Sequence, residues 1–338
     1  MVCRIAFLRR PGDRTAGRHI STQQLVSGLR SIGVKATYTS RMVQADYYAV
    51  DCIDNLDLLP DVPEDRKIAW IRRDVYNLTE RFPVSGIGHL FASSQFVADA
   101  WPDNRVTVLP DPVAMPPWVP PRMRWGVLYV GRVCRRKGLS LLLNAFRFLH
   151  PRWNLTIAGP ILHDFSSLVE SNGLNKGAYP RVIFTGELSP QAIARLYWRS
   201  ECLVLPSQFE PFGRPLVEAA GWCCTPIAIE GSGGPEEILG GYSGQPSKRC
   251  QLLAEHNPLA LARTIQNVTT GTWGLSRLQC RQLAQRYQPS TIAQQFMEHL
   301  THGTPDLIPH AGSPANPART PARTSRPPDP ASPANQPI

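Results

Sequence analysis

The sequence predicts an α/β protein built from two doubly wound parallel sheets, and three observations indicate this fold class. Short apolar runs alternate with helix-like stretches along most of the chain, as is typical of parallel sheets covered by helices. Prolines concentrated over residues 110–121 divide this alternation into two sets. A chain of 338 residues is also long enough to form two cores of ordinary size.

The first set begins with a strand over Val2–Leu8 and a helix over Ile20–Ser31. Apolar residues at helical spacing, Leu25 and Leu29 among them, predict that one face of this helix is buried. Further strands are expected over residues 34–39, 47–52, 67–71, 89–93 and 105–109. Residues 1–112 are therefore predicted to form a short N-terminal Rossmann-like domain.

The second set follows a proline-rich connector over residues 113–124. Its strands are expected from residue 125 onward and over residues 155–158, 181–185, 202–206 and 225–229. This set predicts a C-terminal domain over residues 125–290. A last helix over residues 291–302 precedes a tail, residues 303–338, in which ten prolines and a lack of aromatic residues predict disorder.

Composition places the chain among ordinary globular proteins, with 42% apolar and 18% charged residues. No apolar run reaches the length of a membrane span, and the polar N-terminus does not resemble a signal peptide. The eight cysteines are scattered without metal-ligand spacing. We therefore expect free thiols, a reducing cytoplasmic location and no zinc.

The net charge of +10 lies mostly in the second half of the chain. Its most concentrated part is a group of four cations in a predicted strand-to-helix loop: Arg132, Arg135, Arg136 and Lys137. Cations in such a loop favour a diphosphate ligand. Nucleic acid is the alternative ligand for this patch, although no nucleic-acid-binding motif accompanies it.

The most informative segment surrounds two glutamates eight positions apart, Glu210 and Glu218. An apolar strand ends at Pro206, so Glu210 is expected in the loop beyond its carboxyl end, where ligands bind in open α/β sheets. The next helix begins near Pro215 and would direct free N–H groups at an anion. Gly213 lets the main chain approach a ligand, and a carboxylate can accept hydrogen bonds from sugar hydroxyls. The segment therefore suits a ligand with both phosphate and hydroxyl groups.

Residues 206–220 resemble the E-x7-E signature of the retaining glycosyltransferases of family 4, the glycogen-synthase-like family with the two-domain GT-B architecture. Three further segments are similar to motifs of that family and occur in its order. They are a G-R-x4-K-G strand and loop at 127–138, an F-x-G strand with its helix at 182–197, and a G-G-P-x-E-I turn at 233–238. The resemblance spans about residues 125–240. It implies two Rossmann-like domains facing a cleft, with the last helix packed back on the first domain.

The resemblance also implies a donor site in the C-terminal domain. Arg132 and Lys137 match the basic pair that contacts the donor diphosphate. Glu210 matches the glutamate beside the donor sugar and is the implied catalytic residue, while Glu218 matches the glutamate that contacts the ribose. Phe212 and Gly213 are implied to shape the sugar pocket, and Leu216 and Val217 to offer main-chain N–H groups to phosphate. Arg214 either adds charge to the cleft or forms an outward salt bridge.

Other positions are left with open roles. Glu237 matches the acidic residue of the G-G-P-x-E turn and is either structural or catalytic. Gly12 and Gly17 lie in the loop that faces the cleft from the first domain in GT-B enzymes. Many relatives carry a histidine at the end of a first-domain strand, and the comparable segment here offers three other residues for positioning donor or acceptor: Arg72, Arg73 and Asp74.

These features predict a cytoplasmic glycosyltransferase that moves a sugar from a nucleotide-sugar donor to an acceptor hydroxyl, with retention of anomeric configuration implied by the resemblance. The chain contains no Asp-x-Asp pair of the kind that holds a metal in other glycosyltransferases, so we expect neither a metal nor a cofactor. The acceptor is left open among a glycan, a lipid and a small molecule, as is peripheral membrane contact through a sparse basic loop. Two alternatives are a catalytically silent sugar-nucleotide-binding scaffold and a sugar-nucleotide epimerase or phosphorylase of the same architecture.

Overall fold

The computed structural model describes most of the chain. The described residues are 3–11, 16–72, 86–101, 105–119, 123–161, 181–240 and 252–302. Within them, twelve strands form two parallel sheets of six strands each, and helices pack against both sheets. The predicted fold class is confirmed.

The first sheet belongs to the N-terminal half of the chain. Its strands are Arg4–Leu8 (β1), Lys35–Thr39 (β2), Tyr47–Val50 (β3), Lys67–Ile71 (β4), His89–Ala92 (β5) and Val106–Val108 (β6). Its described α-helices are Ala16–Ser31 (α1) and Gln95–Asp99 (α2). The strands are parallel in the order β2-β1-β3-β4-β5-β6, so the chain builds the sheet outward in both directions from β1.

The second sheet follows the proline-rich connector. Its strands are Val127–Val130 (β7), Leu155–Ala158 (β8), Val182–Gly186 (β9), Cys202–Leu205 (β10), Thr225–Ile229 (β11) and Leu253–Ala254 (β12). Its described α-helices are Leu139–Phe146 (α3), Pro190–Arg199 (α4), Arg214–Gly221 (α5), Gly234–Leu239 (α6), Pro258–Thr269 (α7) and Arg277–Gln285 (α8). The order is β12-β11-β10-β7-β8-β9. Every residue of β7 and β10 is buried, which explains why these strands read as continuous apolar runs.

The last described helix, Pro289–His302 (α9), returns to the first domain. Its Phe296 stacks on Trp70 of β4, with ring centroids 5.5 Å apart, and lies 5.4 Å from the ring of Phe91. At the start of α9, a Cβ added to Gly28 of α1 would overlap the carbonyl of Pro289, so only glycine permits this approach. The helix therefore completes the core of the first domain.

Some element boundaries differ from the sequence prediction. Helix α1 begins at Ala16 rather than Ile20, because its first turn is polar and an apolar pattern records only the buried face. Strand β12 was not predicted, since two residues are too few to show a strand period. The proposed domain limits stay a prediction, and the tail, residues 303–338, lies outside the described residues.

None of the described helices is both long enough and apolar enough to span a bilayer.

Candidate active site

The candidate site lies at the carboxyl edge of the second sheet, between β7 and β10. These strands are adjacent and parallel, although β8 and β9 separate them in sequence. The sheet grows from β7 toward β8 on one side and continues from β10 toward β11 on the other. Loops diverge at such a switch point and leave a crevice in which ligands bind.

The loops after β7 and β10 bring Lys137 and Glu210 together. The Lys137 Nζ lies 2.5 Å from Glu210 Oε2, and the two side chains are only 18% and 13% exposed. A part-buried ion pair is screened less by water and salt than a surface pair. Arg132, at the start of the same loop, is exposed. The loops that carry Arg132, Lys137 and Glu210 therefore lie together at the carboxyl edge of the second sheet.

Gly138 makes the close approach of these loops sterically feasible. It follows the single 3₁₀ turn Arg135–Lys137 and adopts a left-handed conformation with φ of 67°. A Cβ at this position would overlap the carbonyl oxygen of Pro206, at the end of β10. The lysine therefore reaches Glu210 because the residue after it has no side chain.

Tyr129, on β7, holds the first part of the same loop. Its buried hydroxyl donates a hydrogen bond of 2.7 Å to the carbonyl of Arg132. Burial raises the pKa of this tyrosine far above its usual value, and the nearby Glu210 carboxylate raises it further. The hydroxyl therefore stays protonated at neutral pH and remains a donor.

The loop that carries Glu210 is braced by the G-G-P-x-E-I turn. The Glu210 amide donates to the carbonyl of Ser232 at 2.8 Å, and the Gly234 amide donates to the carbonyl of Glu210 at 3.0 Å. These two bonds form an isolated parallel bridge between Glu210 and Gly233. The backbones of two motifs that are separated in sequence are thus hydrogen-bonded to each other at Glu210.

Helix α5 begins immediately after this loop. Gly213 is its N-cap residue, with φ of 97°, and the side chains of Leu216 and Val217 are fully buried. The Leu216 amide donates to the carbonyl of Gly213 at 2.9 Å, so it is engaged within the first turn. Phe212 is also buried and packs edge-on against Tyr287, with centroids 5.4 Å apart.

Glu218 lies one turn after Arg214 on α5, and both of its carboxylate oxygens are engaged. Arg214 Nε donates to Oε1 at 2.7 Å, and the Tyr197 hydroxyl of α4 donates to Oε2 at 2.9 Å. The Glu218 side chain retains 27% exposure. Burial raises the pKa of Tyr197 well above its usual value, as does the Glu218 charge, so the hydroxyl remains a donor.

Tyr197 was not expected as part of this site. The sequence placed it on a helix, but its contact with Glu218 depends on the packing of two separate helices. Such a contact produces no characteristic spacing of the two residues in the sequence. The only signal in the sequence that could have indicated this role was the presence of a tyrosine on an amphipathic helix.

Glu237 contacts the first domain. Its carboxylate accepts hydrogen bonds from the backbone amides of Gln95, at 2.9 Å, and Phe96, at 2.7 Å, at the N-terminus of α2. Of its two predicted roles, this geometry favours the structural one. The carboxylate stabilises the N–H groups of a short helix across the domain boundary.

Arg72 is enclosed by protein, with 8% exposure. Its Nε lies 2.9 Å from Asp111 Oδ1, in a charge contact rather than an aligned hydrogen bond, and its Nη1 donates to the Thr22 hydroxyl at 3.0 Å. Gly17 is exposed in the first turn of α1, with open space around it. The other first-domain candidates lie outside the described residues: Gly12, Arg73 and Asp74.

Among the described residues, no three His, Cys, Asp or Glu side chains are grouped in a way that could hold a metal ion.

Comparison with known proteins gives a family match and curated relatives. A profile of the family described as Glycosyl transferases group 1 matches residues 115–286. An uncharacterized glycosyltransferase from Methanocaldococcus jannaschii is 32% identical over 115 residues, which cover 33% of this chain and 29% of that protein. The glycogen synthase of Mycobacterium tuberculosis is 32% identical over 149 residues, 42% of this chain and 33% of that enzyme. The chain thus matches about a third of the length of these two curated relatives.

A solved structure of HepE from Anabaena, in complex with UDP and glucose, shares the fold across both domains. Its TM-score is 0.66 at 16% identity, and the likeness covers 89% of this chain and 100% of that one. This likeness establishes the two-domain GT-B fold. Because the family profile covers half of the chain, including the segment from Lys137 to Glu218, the chain belongs to the family of glycosyl transferases group 1.

Proposed function

We propose that the protein is a family 4 glycosyltransferase that moves a sugar from a nucleotide-sugar donor to an acceptor hydroxyl, with retention of anomeric configuration. The observation that carries this proposal is the 2.5 Å contact between Lys137 and Glu210 at the switch point of the second sheet. A cation and a carboxylate there can serve the two ends of one ligand, an anionic diphosphate and a polyhydroxylated sugar.

Lys137 and Arg132 would stabilise the leaving group. A nucleoside diphosphate gains negative charge as the bond to the sugar breaks, and cations already fixed in a cleft stabilise that charge without waiting for solvent to reorganise. Lys137 is held on a short turn whose geometry depends on Gly138. Its ammonium is therefore placed before the donor arrives.

The two glutamates would hold hydroxyl groups. Glu210 accepts hydrogen bonds from the donor sugar, and Glu218 accepts them from the ribose. Without a donor, Glu210 is paired with Lys137, and Glu218 is paired with Arg214 and Tyr197. Each carboxylate has acceptor sites beyond those used here, because an ionised carboxylate can accept about four hydrogen bonds.

We infer that the reaction needs neither a metal nor a cofactor, since the nucleotide sugar is a substrate and Lys137 and Arg132 supply the positive charge. Prolonged dialysis against EDTA is expected to leave the transfer rate unchanged. A loss of rate that Mg²⁺ or Mn²⁺ restores would contradict this inference.

The donor and acceptor are to be identified by binding. HepE holds UDP and glucose in its solved structure, so UDP-glucose is the first donor to test. A thermal-shift screen with UDP-, GDP- and ADP-sugars is suitable, because a ligand that binds only the folded state raises its apparent stability. Acceptors from the glycan, lipid and small-molecule classes can then be compared with the donor fixed.

Transfer should be measured with the donor found in this way. Lys137→Ala is expected to lower the rate by on the order of 100-fold or more, and Glu210→Gln to lower it comparably. Lys35→Ala and Glu298→Gln are matched controls, since both side chains are exposed on the first domain and its returning helix. The anomeric configuration of the product, read by NMR, tests retention.

Two results would overturn the proposal. One is a wild-type rate in both site variants. The other is donor binding without transfer or donor hydrolysis against the whole acceptor panel, which would indicate a silent sugar-nucleotide-binding protein.

A further inference from the structure

Arg214 connects the candidate donor site to the first domain. Its Nε donates to Glu218, and its two terminal nitrogens donate to groups of the first domain. Nη1 donates to the Ser21 hydroxyl at 3.0 Å and to the carbonyl of Pro112 at 2.8 Å, and Nη2 donates to Gln24 Oε1 at 2.8 Å. With 12% exposure, the side chain is largely enclosed by these partners.

The first-domain partners lie on rigid structure. Ser21 and Gln24 are one turn apart on α1, the longest described helix, and Ser21 is fully buried. Gln24 Oε1 also accepts a hydrogen bond from the Ala114 amide, at 3.1 Å. The connector between the domains is thus attached to the same glutamine that contacts Arg214.

The fork of the guanidinium explains why one residue can serve both sides. Arginine has five N–H donors in a fixed plane, whereas lysine has a single ammonium on a flexible stem. Here the Nε side of the plane faces Glu218, and the terminal nitrogens face α1 and the carbonyl of Pro112. A shift of α1 relative to α5 would therefore move the guanidinium and, with it, the Glu218 carboxylate.

We propose that Arg214 is a positioning residue that orients Glu218 toward the ribose hydroxyls and makes this orientation depend on contact between α1 of the first domain and α5 of the second. This proposal rests on the proposed function, in which Glu218 binds the ribose. Tyr197 fixes the second carboxylate oxygen from within the same domain, so Arg214 is the link that crosses the domain boundary.

Recognition of the ribose should therefore depend on Gln24, which lies outside the donor-binding domain. A site built to hydrogen-bond a hydroxyl discriminates against the analogue that lacks it. Gln24→Ala removes one acceptor of Arg214 without touching the second domain, and it should weaken that discrimination. Arg214→Ala should weaken it more, and Arg214→Lys should not restore it, because an ammonium cannot span both sets of partners.

The experiment compares binding of UDP, GDP and ADP with binding of their 2′-deoxy forms, measured by calorimetry on the full chain. The wild type is expected to prefer the ribonucleotide of its own base. Arg214→Ala should lose roughly tenfold in affinity for that ribonucleotide and Gln24→Ala less than that, while both bind its 2′-deoxy form nearly as the wild type does. Gln23→Ala is the matched control, since Gln23 is the exposed neighbour of Gln24 on α1, and it should behave as the wild type.

The outcomes separate this proposal from the one on which it rests. If the wild type binds none of the nucleotides, the proposed function fails. If the wild type binds the ribonucleotide more tightly than its 2′-deoxy form and Glu218→Gln abolishes this preference, Glu218 has its proposed role. Against that background, unchanged discrimination in Arg214→Ala and Gln24→Ala would overturn the positioning role. An equal loss of affinity for both nucleotide forms, or a lower melting temperature alone, would also overturn it, because either would indicate a purely structural residue.

Discussion

Glu237 Oε1 lies 2.7 Å from the backbone nitrogen of Phe96, and this contact joins the two domains. The second carboxylate oxygen accepts from the neighbouring Gln95 amide. The Phe96 ring packs against Gly233, where any Cβ would be too close to the ring. A polar contact and an apolar contact therefore meet at one point of the domain boundary.

Replacing Glu237 by glutamine is expected to weaken this boundary. The carboxylate accepts two N–H groups at a helix N-terminus, whereas a glutamine side chain offers one neutral oxygen. Hydrogen bonds to charged groups are worth about 1.5–3 kcal/mol each, so we expect a melting temperature lower by several degrees. Small-angle scattering should also show a larger radius of gyration, as contact between the domains is lost more often.

Glu236→Gln provides the matched control for this change. Glu236 is the preceding residue of α6, but its Oε1 accepts from Gly231 of its own domain, at 2.7 Å. It should leave the radius of gyration unchanged. Equal scattering curves for Glu237→Gln and the wild type would show that the carboxylate does not hold the domains together.

Gly138→Ala is expected to disrupt the candidate site. Its methyl group would meet the Pro206 carbonyl, and the backbone would have to leave its left-handed conformation or force the two loops apart. Lys137 would then lose its position beside Glu210, and we expect donor affinity and transfer to fall at least tenfold.

Gly186→Ala separates this clash from backbone strain. Gly186 has φ of 68°, almost the value at Gly138, but a Cβ there would meet nothing within 4 Å. It should cost only the strain of a left-handed residue, roughly 1–2 kcal/mol, with donor affinity unchanged. The same loss of donor affinity in both variants would mean that the contact with Pro206 is not the cause.

The fold was predictable because its determinants are local and repeated. Strands β4, β8 and β11 have the predicted boundaries, since each is a short apolar run that is buried on both faces. The meeting of Lys137 and Glu210 follows from the same information. Each side chain comes after a parallel strand, and the carboxyl ends of parallel strands share one edge.

The contacts of Arg214 and Phe212 could not be predicted in this way. Arg214 meets Ser21 and Gln24, which are about 190 positions away, and only the relative placement of the two domains determines that contact. Phe212 could be assigned to a pocket from its place in the motif, but the structure buries it against Tyr287. A side chain's motif position therefore indicated the loop and not the direction in which the side chain points.

Two histidines face each other where α9 packs on the first sheet. The rings of His299 and His89 lie 5.5 Å apart, edge to face, and the Thr107 hydroxyl lies 3.3 Å from His299 Nδ1. Burial lowers the pKa of His299 to about 4, with a further contribution from His89, and burial also lowers the pKa of His89. Asp65, the acidic neighbour of His89, opposes the latter shift.

These shifts predict a loss of stability on acidification. Because the folded-state pKa of His299 lies below the value of about 6.5 in an unfolded chain, the unfolded state binds more protons between these values. Stability should therefore be intact above about pH 6.5 and fall progressively toward pH 4. Melting temperatures at pH 7.5, 5.5 and 4.5 should show a smaller fall for His299→Gln than for the wild type. Parallel curves would exclude His299 as the cause.

Arg72 is expected to contribute to stability rather than to donor binding. Its guanidinium faces Asp111, just before the connector, and both side chains are largely buried, with 3% and 13% exposure. Removing one partner of a buried ion pair typically costs about 3–5 kcal/mol, because the other charge is left without compensation. Arg72→Ala should therefore unfold at a much lower denaturant concentration, and the double variant Arg72→Ala with Asp111→Asn should recover part of the loss. At a temperature where the single variant is still folded, its affinity for the donor should equal that of the wild type. A variant of normal stability with weakened donor affinity would instead place Arg72 in the cleft, in the role that the family's histidine implies.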